Sequence, residues 1–150
     1  MALCVLVLVP GGWSTLHEHR LGLSQYAPLV GGARGAAALG LNRGFWGHTV
    51  TDVLPDGDEL GVGPAYVHDV HAYAITQYRR EGRWPSWKRS NPERARVGLI
   101  FPELHMTTDE VRLWNAMGGT RPAGFVLLDG VPVTILYGRG TAAAGDPEDP

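Results

Sequence analysis

The chain has little of what several protein classes depend on. Its 150 residues include a single cysteine, Cys4, so no disulfide bond can form within the chain. The formal net charge is -2, and no run of lysine or arginine is long enough to follow a phosphate backbone, which argues against a nucleic acid as partner. No uninterrupted apolar run approaches the roughly 20 residues that a membrane-spanning helix needs. The sequence therefore excludes a disulfide scaffold, a nucleic-acid-binding protein and a complete membrane span.

What the chain does contain is typical of a single globular domain. Hydrophobic residues make up 44% and charged residues 19% of the sequence, which is the balance of a protein that buries a core. At this length about 68–70% of the unfolded surface can be buried on folding. The 21 glycines and 11 prolines predict short elements joined by many turns.

The longest apolar run, residues 2–9, is open to two interpretations. It ends at Pro10-Gly11-Gly12 and lacks the basic start and the small-residue cleavage site of a secretory signal. Its valines and leucines favour a buried β-strand, but the same run suits the last turns of a membrane helix. We therefore take residues 1–20 as an apolar segment and linker, residues 21–140 as one α/β domain and residues 141–150 as a disordered tail.

Helical and extended patterns alternate along the rest of the chain. In chain order we predict helices at residues 33–39 and 45–54, a strand at 59–66, a helix at 69–81, a loop at 84–94, a strand at 97–101 that is buried on both faces, a helix from 107 to 118, and strands at 124–128 and 131–137. Asp69 is the expected N-cap of the third helix, and Thr107 with Glu110 has the spacing of a capping box. Asp129-Gly130 is the preferred pair for a type I′ hairpin.

This order predicts an α/β fold with a small, mostly parallel sheet flanked by helices and ending in an antiparallel β-hairpin. Pro132 cannot donate a ladder hydrogen bond, so one strand of the hairpin is expected at the sheet edge.

Six histidines raise the question of a metal site. His17-Glu18-His19 and His68-Asp69-Val70-His71 each pair two imidazoles, and His105 would add a third group. Neither spacing is the His-Glu-x-x-His pattern of zinc proteases, and nothing in the sequence links the groups. We therefore predict no metal ion and no cofactor.

Three residues are candidates for ligand binding. Arg34 and the amides that follow Gly31-Gly32 could hold an anion at a helix start, although a tight turn into a closely packed helix explains the same glycines. His68 and Asp69 lie where a strand gives way to a helix, and ligands of α/β sheets bind beyond the carboxyl ends of strands. A helix cap is the simpler role for Asp69.

Two further patterns bear on function. Residues 84–89, Trp-Pro-Ser-Trp-Lys-Arg, place basic residues beside indoles, which suits a membrane interface or the face of a sugar, whereas Trp114 is expected in the core. Residues 22–26 lack the second glycine of a nucleophile elbow, and Cys4 lies in the apolar run. No catalytic residue is therefore identified.

Several stretches together resemble one family. They are residues 21–26, 30–41 and 45–47, followed by 101–106, 113–118 and 129–133. A tyrosine, a Gly-Gly pair and an alanine-rich Leu-Gly stretch before an aromatic-Trp pair resemble the segment after the last membrane helix of bacterial multi-pass glycosyltransferases of the GT-C type, which are related to protein mannosyltransferases and aminoarabinose transferases. The resemblance covers roughly residues 21–139, and its motifs are mostly structural.

The resemblance implies an enzyme at the cytoplasmic membrane that transfers a sugar from a polyprenyl-phosphate donor on the periplasmic or extracytoplasmic face. Its partners would be the membrane-embedded portion of the transferase or the membrane surface, with a lipid-linked sugar as ligand. The catalytic carboxylate of such families lies in an early loop to which no position here corresponds, so we expect a non-catalytic C-terminal domain or fragment. The alternative is a standalone soluble α/β binding or structural domain with residues 2–9 as a buried strand. A small hydrolase is the least favoured reading.

Overall fold

The computed structural model describes residues 31–44, 47–52 and 63–139, together with positions 8, 9, 11–13, 16, 21 and 26. The α-helices of this part are α1 (Gly32–Ala38), α2 (Ala72–Arg80) and α3 (Thr107–Met117). The strands are β1 (Pro64–Val67), β2 (Lys88–Arg89), β3 (Val97–Ile100), β4 (Gly124–Leu128) and β5 (Val131–Gly138). Short 3₁₀ helices lie at Val50–Asp52, Pro92–Arg94 and Leu104–Met106.

The strands form one five-stranded sheet in the order β2-β1-β3-β5-β4. β1 pairs in parallel with β2 and β3, whereas β5 pairs antiparallel with β3 and with β4. The α/β class and the closing hairpin are as predicted, but the sheet is mixed and mostly antiparallel, so the prediction of a mostly parallel sheet is wrong. The cause is β5, which lies between β3 and β4 and runs antiparallel to both strands.

Burial explains why β5 lies inside the sheet. Six of its eight residues are buried and the other two are partly buried, and Val133, Thr134 and Leu136 have no exposed surface. A strand that is apolar on both faces is stable only where both faces are covered, whereas β4 exposes Phe125 and Leu127 and occupies the edge. Pro132 lies on the inner strand, but beyond the stretch that pairs with β3, so its missing donor is tolerated.

Helices cover both faces of the sheet. Ala65 and Val67 of β1 face α2, and they line a cleft together with Ile75 of that helix. Tyr66 points to the opposite face, where its hydroxyl hydrogen-bonds to Asp109 of α3. Gly98 of β3 is on the α3 side, because a Cβ there would lie 2.7 Å from Cδ1 of Leu113.

Residues 47–49, before β1, pack against β5 and the residue that follows β3. The hydroxyls of Thr49 and Thr134 hydrogen-bond to each other, and both residues are buried. Gly47 lies against Phe101, with only 2.8 Å from a Cβ position to the ring Cζ atom. The predicted helix at residues 45–54 is not present in the described part, which has a turn at 47–49 and the 3₁₀ helix.

Two predicted helix starts are wrong. Asp69 has a φ of 55°, in the left-handed region, and the N-cap of α2 is His71, whose Nδ1 accepts from the amide of Tyr73 at 3.3 Å. Thr107 does not cap α3 either, because its hydroxyl donates to the carbonyl of Leu104 at the end of a 3₁₀ turn. The left-handed conformation of Asp69 precedes α2, and the 3₁₀ helix Leu104–Met106 precedes α3. These turns determine which residue begins each helix.

Local turn signals are confirmed. Asp129 and Gly130 have φ values of 51° and 77°, which is the left-handed pair that a type I′ hairpin needs. α3 ends at Gly118 with a φ of 75°, and β3 is buried at all four positions as predicted. The predicted loop at 84–94 contains the two-residue strand β2.

The apolar run at the start is described at two positions. Leu8 and Val9 have helical backbone and are exposed, and residues 2–7 lie outside the described residues. None of the helices among the described residues is both long enough and apolar enough to cross a membrane. Residues 59–62 of the predicted first strand and the tail at 141–150 are also outside the described part.

Candidate functional site

The candidate site lies at the carboxyl ends of β1 and β3, two adjacent parallel strands. After β1 the chain continues to α2 on one face of the sheet, and after β3 it continues to α3 on the other. Connections that leave neighbouring strands on opposite sides open a crevice, and open α/β sheets bind ligands at such a point. We call the polar side chains that meet here the crevice cluster: Tyr66, His68, Glu103, His105 and Asp109.

Tyr66 links two members of the crevice cluster. Burial and the hydrogen bond to Asp109 raise the pKa of its hydroxyl well above the usual value, so the phenol keeps its proton at neutral pH. The hydroxyl donates to Oδ2 of Asp109 at 2.5 Å and lies 2.7 Å from Nδ1 of His68. Since the phenol proton goes to Asp109, the hydroxyl oxygen is free to accept a hydrogen from Nδ1 of His68.

Glu103 is the most buried carboxylate of the crevice cluster, with a side chain only 4% exposed. Burial raises its pKa, and the nearby charge of His105 partly opposes that effect. Its Oε2 lies 3.3 Å from Nδ1 of His105, whereas Oε1 is buried without a hydrogen-bond partner among the described residues. The centroid of the His105 ring lies 5.4 Å from that of the His68 ring. This contact joins the Glu103–His105 pair to the rest of the crevice cluster.

Asp109 also has a cationic partner. Its Oδ1 accepts from Nη1 of Arg112 at 3.2 Å, one turn further along α3. Arg112 is half exposed and lies 3.8 Å from Glu93, so this pair belongs to the surface and contributes little to stability. Its effect is to fix the second oxygen of the Asp109 carboxylate while Tyr66 holds the first.

The arrangement suits binding better than covalent chemistry. Its carboxylates and imidazoles mostly contact one another, and no serine or cysteine of the described residues hydrogen-bonds to His68 or His105. In the same part of the chain, no group of three or more His, Cys, Asp or Glu side chains is placed to hold a metal ion. The crevice cluster can exchange hydrogen bonds with a ligand, but it holds no activated nucleophile.

The candidate binding residues from the sequence fall in two places. His68 belongs to the crevice cluster, and the adjacent Asp69 is close enough to raise the pKa of Glu103. Arg34 is elsewhere, because its Nε donates to the carbonyl of Asp129 at 2.8 Å in the hairpin turn. His17 and His19 lie outside the described residues.

Sequence reasoning missed Tyr66, Glu103 and Asp109. Tyr66 is an inward residue of a short strand, and Asp109 occupies the first turn of a helix, where acidic residues are common for dipole reasons alone. They come together only because β1 and β3 are adjacent and α3 folds back over Tyr66. No local pattern encodes that contact.

The tryptophans differ in their environment. Trp87, expected on a binding surface, is only 2% exposed, and Trp84 is partly buried against the core. Trp114 is partly buried and stands edge-on to Tyr137, which agrees with the expected core position.

Comparisons with protein-family models, with curated proteins and with solved structures found no match.

Proposed function

We propose that the chain is a non-catalytic C-terminal domain, or a fragment of one, from a membrane glycosyltransferase that uses a polyprenyl-phosphate sugar donor. The domain lies at the periplasmic or extracytoplasmic face of the cytoplasmic membrane and contacts the membrane-embedded portion of the enzyme. Its crevice cluster contributes hydrogen bonds that position the lipid-linked sugar or the acceptor. The observation that carries the proposal is that stretches resembling this family, although distant in sequence, pack into one unit.

Two contacts join those stretches directly, and a third ties one of them to the central strand β3. Arg34, in the alanine-rich stretch, donates to Asp129, in the hairpin stretch. Gly47 packs on Phe101, at the start of the stretch 101–106. Leu113, at the start of the stretch 113–118, is fully buried and packs on Gly98 of the central strand. These stretches therefore belong to one folded domain, as the resemblance implies.

The chemistry of the crevice cluster supports the non-catalytic part. Sugar transfer needs a carboxylate or another group aimed at the reacting centre, with room for the donor beside it. Here Asp109 is held by Tyr66 and Arg112, and Glu103 is almost completely buried. The helical, exposed state of Leu8 and Val9 supports the end of a membrane helix over a buried strand for this part of the apolar run.

The test begins with the coding sequence upstream of Met1. An in-frame run of hydrophobic helices supports the proposal, and a genuine start site without such a run overturns it in favour of the standalone domain.

Where the longer frame exists, two substitutions on α3 test the role of the domain in that protein. Leu113→Asp places a charge at a position with no exposure and should abolish sugar transfer, whereas Val111→Asp, at a position 42% exposed, should leave transfer near the original rate. Immunoblots of the membrane fraction control for protein level. Unchanged transfer in Leu113→Asp, or transfer by the purified 150-residue chain, would contradict the proposal.

A further inference from the structure

A cleft outside the crevice cluster has the features of a ligand site. It runs between α2 and the β1–β2 edge of the sheet and has a volume of about 160 Å³. Its floor is apolar, formed by Ala65 and Val67 of β1 and by Ile75 of α2. We call it the indole cleft because Trp84 and Trp87 form one wall.

The volume sets the size of the guest. An apolar cavity of roughly 150 Å³ holds one benzene molecule, so the indole cleft has room for a single six-membered ring. The Trp84 and Trp87 rings stand edge to face with centroids 6.2 Å apart, which gives the wall a fixed shape. α2 leaves this space open because only Ile75 of the helix is buried.

The polar groups of the indole cleft are mainly donors. Arg79 and Arg89 line it, and neither takes part in any ion pair among the described residues. Arg79 donates to the carbonyl of Trp87 at 3.2 Å, which holds its guanidinium at the wall. The indole N–H of Trp84 is buried without a hydrogen-bond partner in the described part of the chain. None of the described residues that line the cleft carries a carboxylate.

Two guanidinium groups beside an apolar floor select an anion attached to a compact ring. We propose that the indole cleft binds a phosphate monoester of a six-membered ring. The ring lies on Val67 and Ile75, and the phosphate lies between Arg79 and Arg89. A guanidinium matches phosphate oxygens in pairs, which favours phosphate over a single-point anion. This inference stands apart from the proposed function, since it needs no membrane portion.

The experiment titrates the purified chain with phenyl phosphate, and with phenol and inorganic phosphate as partial ligands. Binding is followed by calorimetry and by the indole N–H signals in nitrogen-15 NMR spectra. We expect phenyl phosphate to shift the Trp84 signal and to bind at least tenfold more tightly than either partial ligand. No binding at millimolar concentration, or equal affinity for inorganic phosphate, would refute the proposal.

Matched variants locate the site. Arg89→Gln should weaken binding about tenfold or more, and Thr76→Phe, at an exposed position that lines the cleft, should block it. Arg80→Gln is the control, because Arg80 is the neighbour of Arg79 on α2 but does not line the cleft. Thermal unfolding confirms that each variant is folded. If Arg80→Gln weakens binding as much as Arg89→Gln, the effect is one of overall charge and the proposed site is wrong.

Discussion

The contact between Gly98 and Leu113 gives the sharpest test of how α3 is fixed on the sheet, and with it the position of Asp109. Leu113 has no exposed surface, and its Cδ1 and Cδ2 would lie 2.7 and 2.9 Å from a Cβ added at Gly98. Carbon atoms in contact prefer about 3.5–4.0 Å. An alanine at position 98 would therefore overlap with the leucine by about 1 Å.

These distances set the expected free energies of unfolding. Gly98→Ala overpacks the contact and should destabilise the fold by about 1–3 kcal/mol. Leu113→Ala leaves a cavity and should cost about 2–5 kcal/mol. In the double variant the overlap is gone and the added methyl fills part of the cavity. Its loss should therefore be smaller than the sum of the two single losses by about 1–3 kcal/mol.

The assay is urea-induced unfolding followed by far-UV circular dichroism on the wild type, both single variants and the double variant. Gly119→Ala is the control for the glycine substitution, because its Cβ would meet nothing within 4 Å. Combined with Leu113→Ala, it should be additive within about 0.5 kcal/mol. Additive energies for the Gly98 and Leu113 pair as well would refute the proposed packing of α3 on β3.

Three further predictions concern the crevice cluster and the hairpin. Tyr66→Phe removes the hydroxyl that bridges His68 and Asp109 and should lower the free energy of unfolding by about 1–3 kcal/mol, measured by urea titration at neutral pH. Glu103→Gln should stabilise the fold at neutral pH. The raised pKa means that the folded state favours the protonated acid. The advantage should therefore shrink as the pH falls through the raised pKa towards the normal glutamate value and vanish below it, and melting curves that keep a constant difference across pH would contradict it. Gly130→Ala forces an L side chain into a φ of 77° and should cost about 1–2 kcal/mol, whereas the same loss in Gly119→Ala would show that the turn is not the cause.

Predictions from short-range patterns were the accurate ones. The Asp129-Gly130 turn and the Gly118 stop each depend on a few neighbouring residues with a special backbone conformation. The buried strand β3 follows from an unbroken apolar run. Capping predictions were less accurate: Asp69 and Thr107 have the right side chains, but the turns before α2 and α3 place other residues at the helix starts.

The candidate site was predicted only in part. His68 was identified because a strand-to-helix junction in an α/β fold points to the sheet edge. Its partners come from β1, from the segment after β3 and from α3, and no spacing in the sequence relates them. Arg34, predicted as an anion ligand from its local chemistry, donates to a hairpin turn that lies 95 residues away in the sequence.

The sequence by itself determined the α/β class, the hairpin and the glycine stop of α3, because propensity, turn chemistry and apolar runs act over a few residues. Only the tertiary structure decided that β5 lies between β3 and β4, that α2 and α3 cover opposite faces, and that Tyr66, His68 and Asp109 meet. Which strand becomes the neighbour of another depends on how all the apolar faces are covered at once, and that balance cannot be read from any one segment.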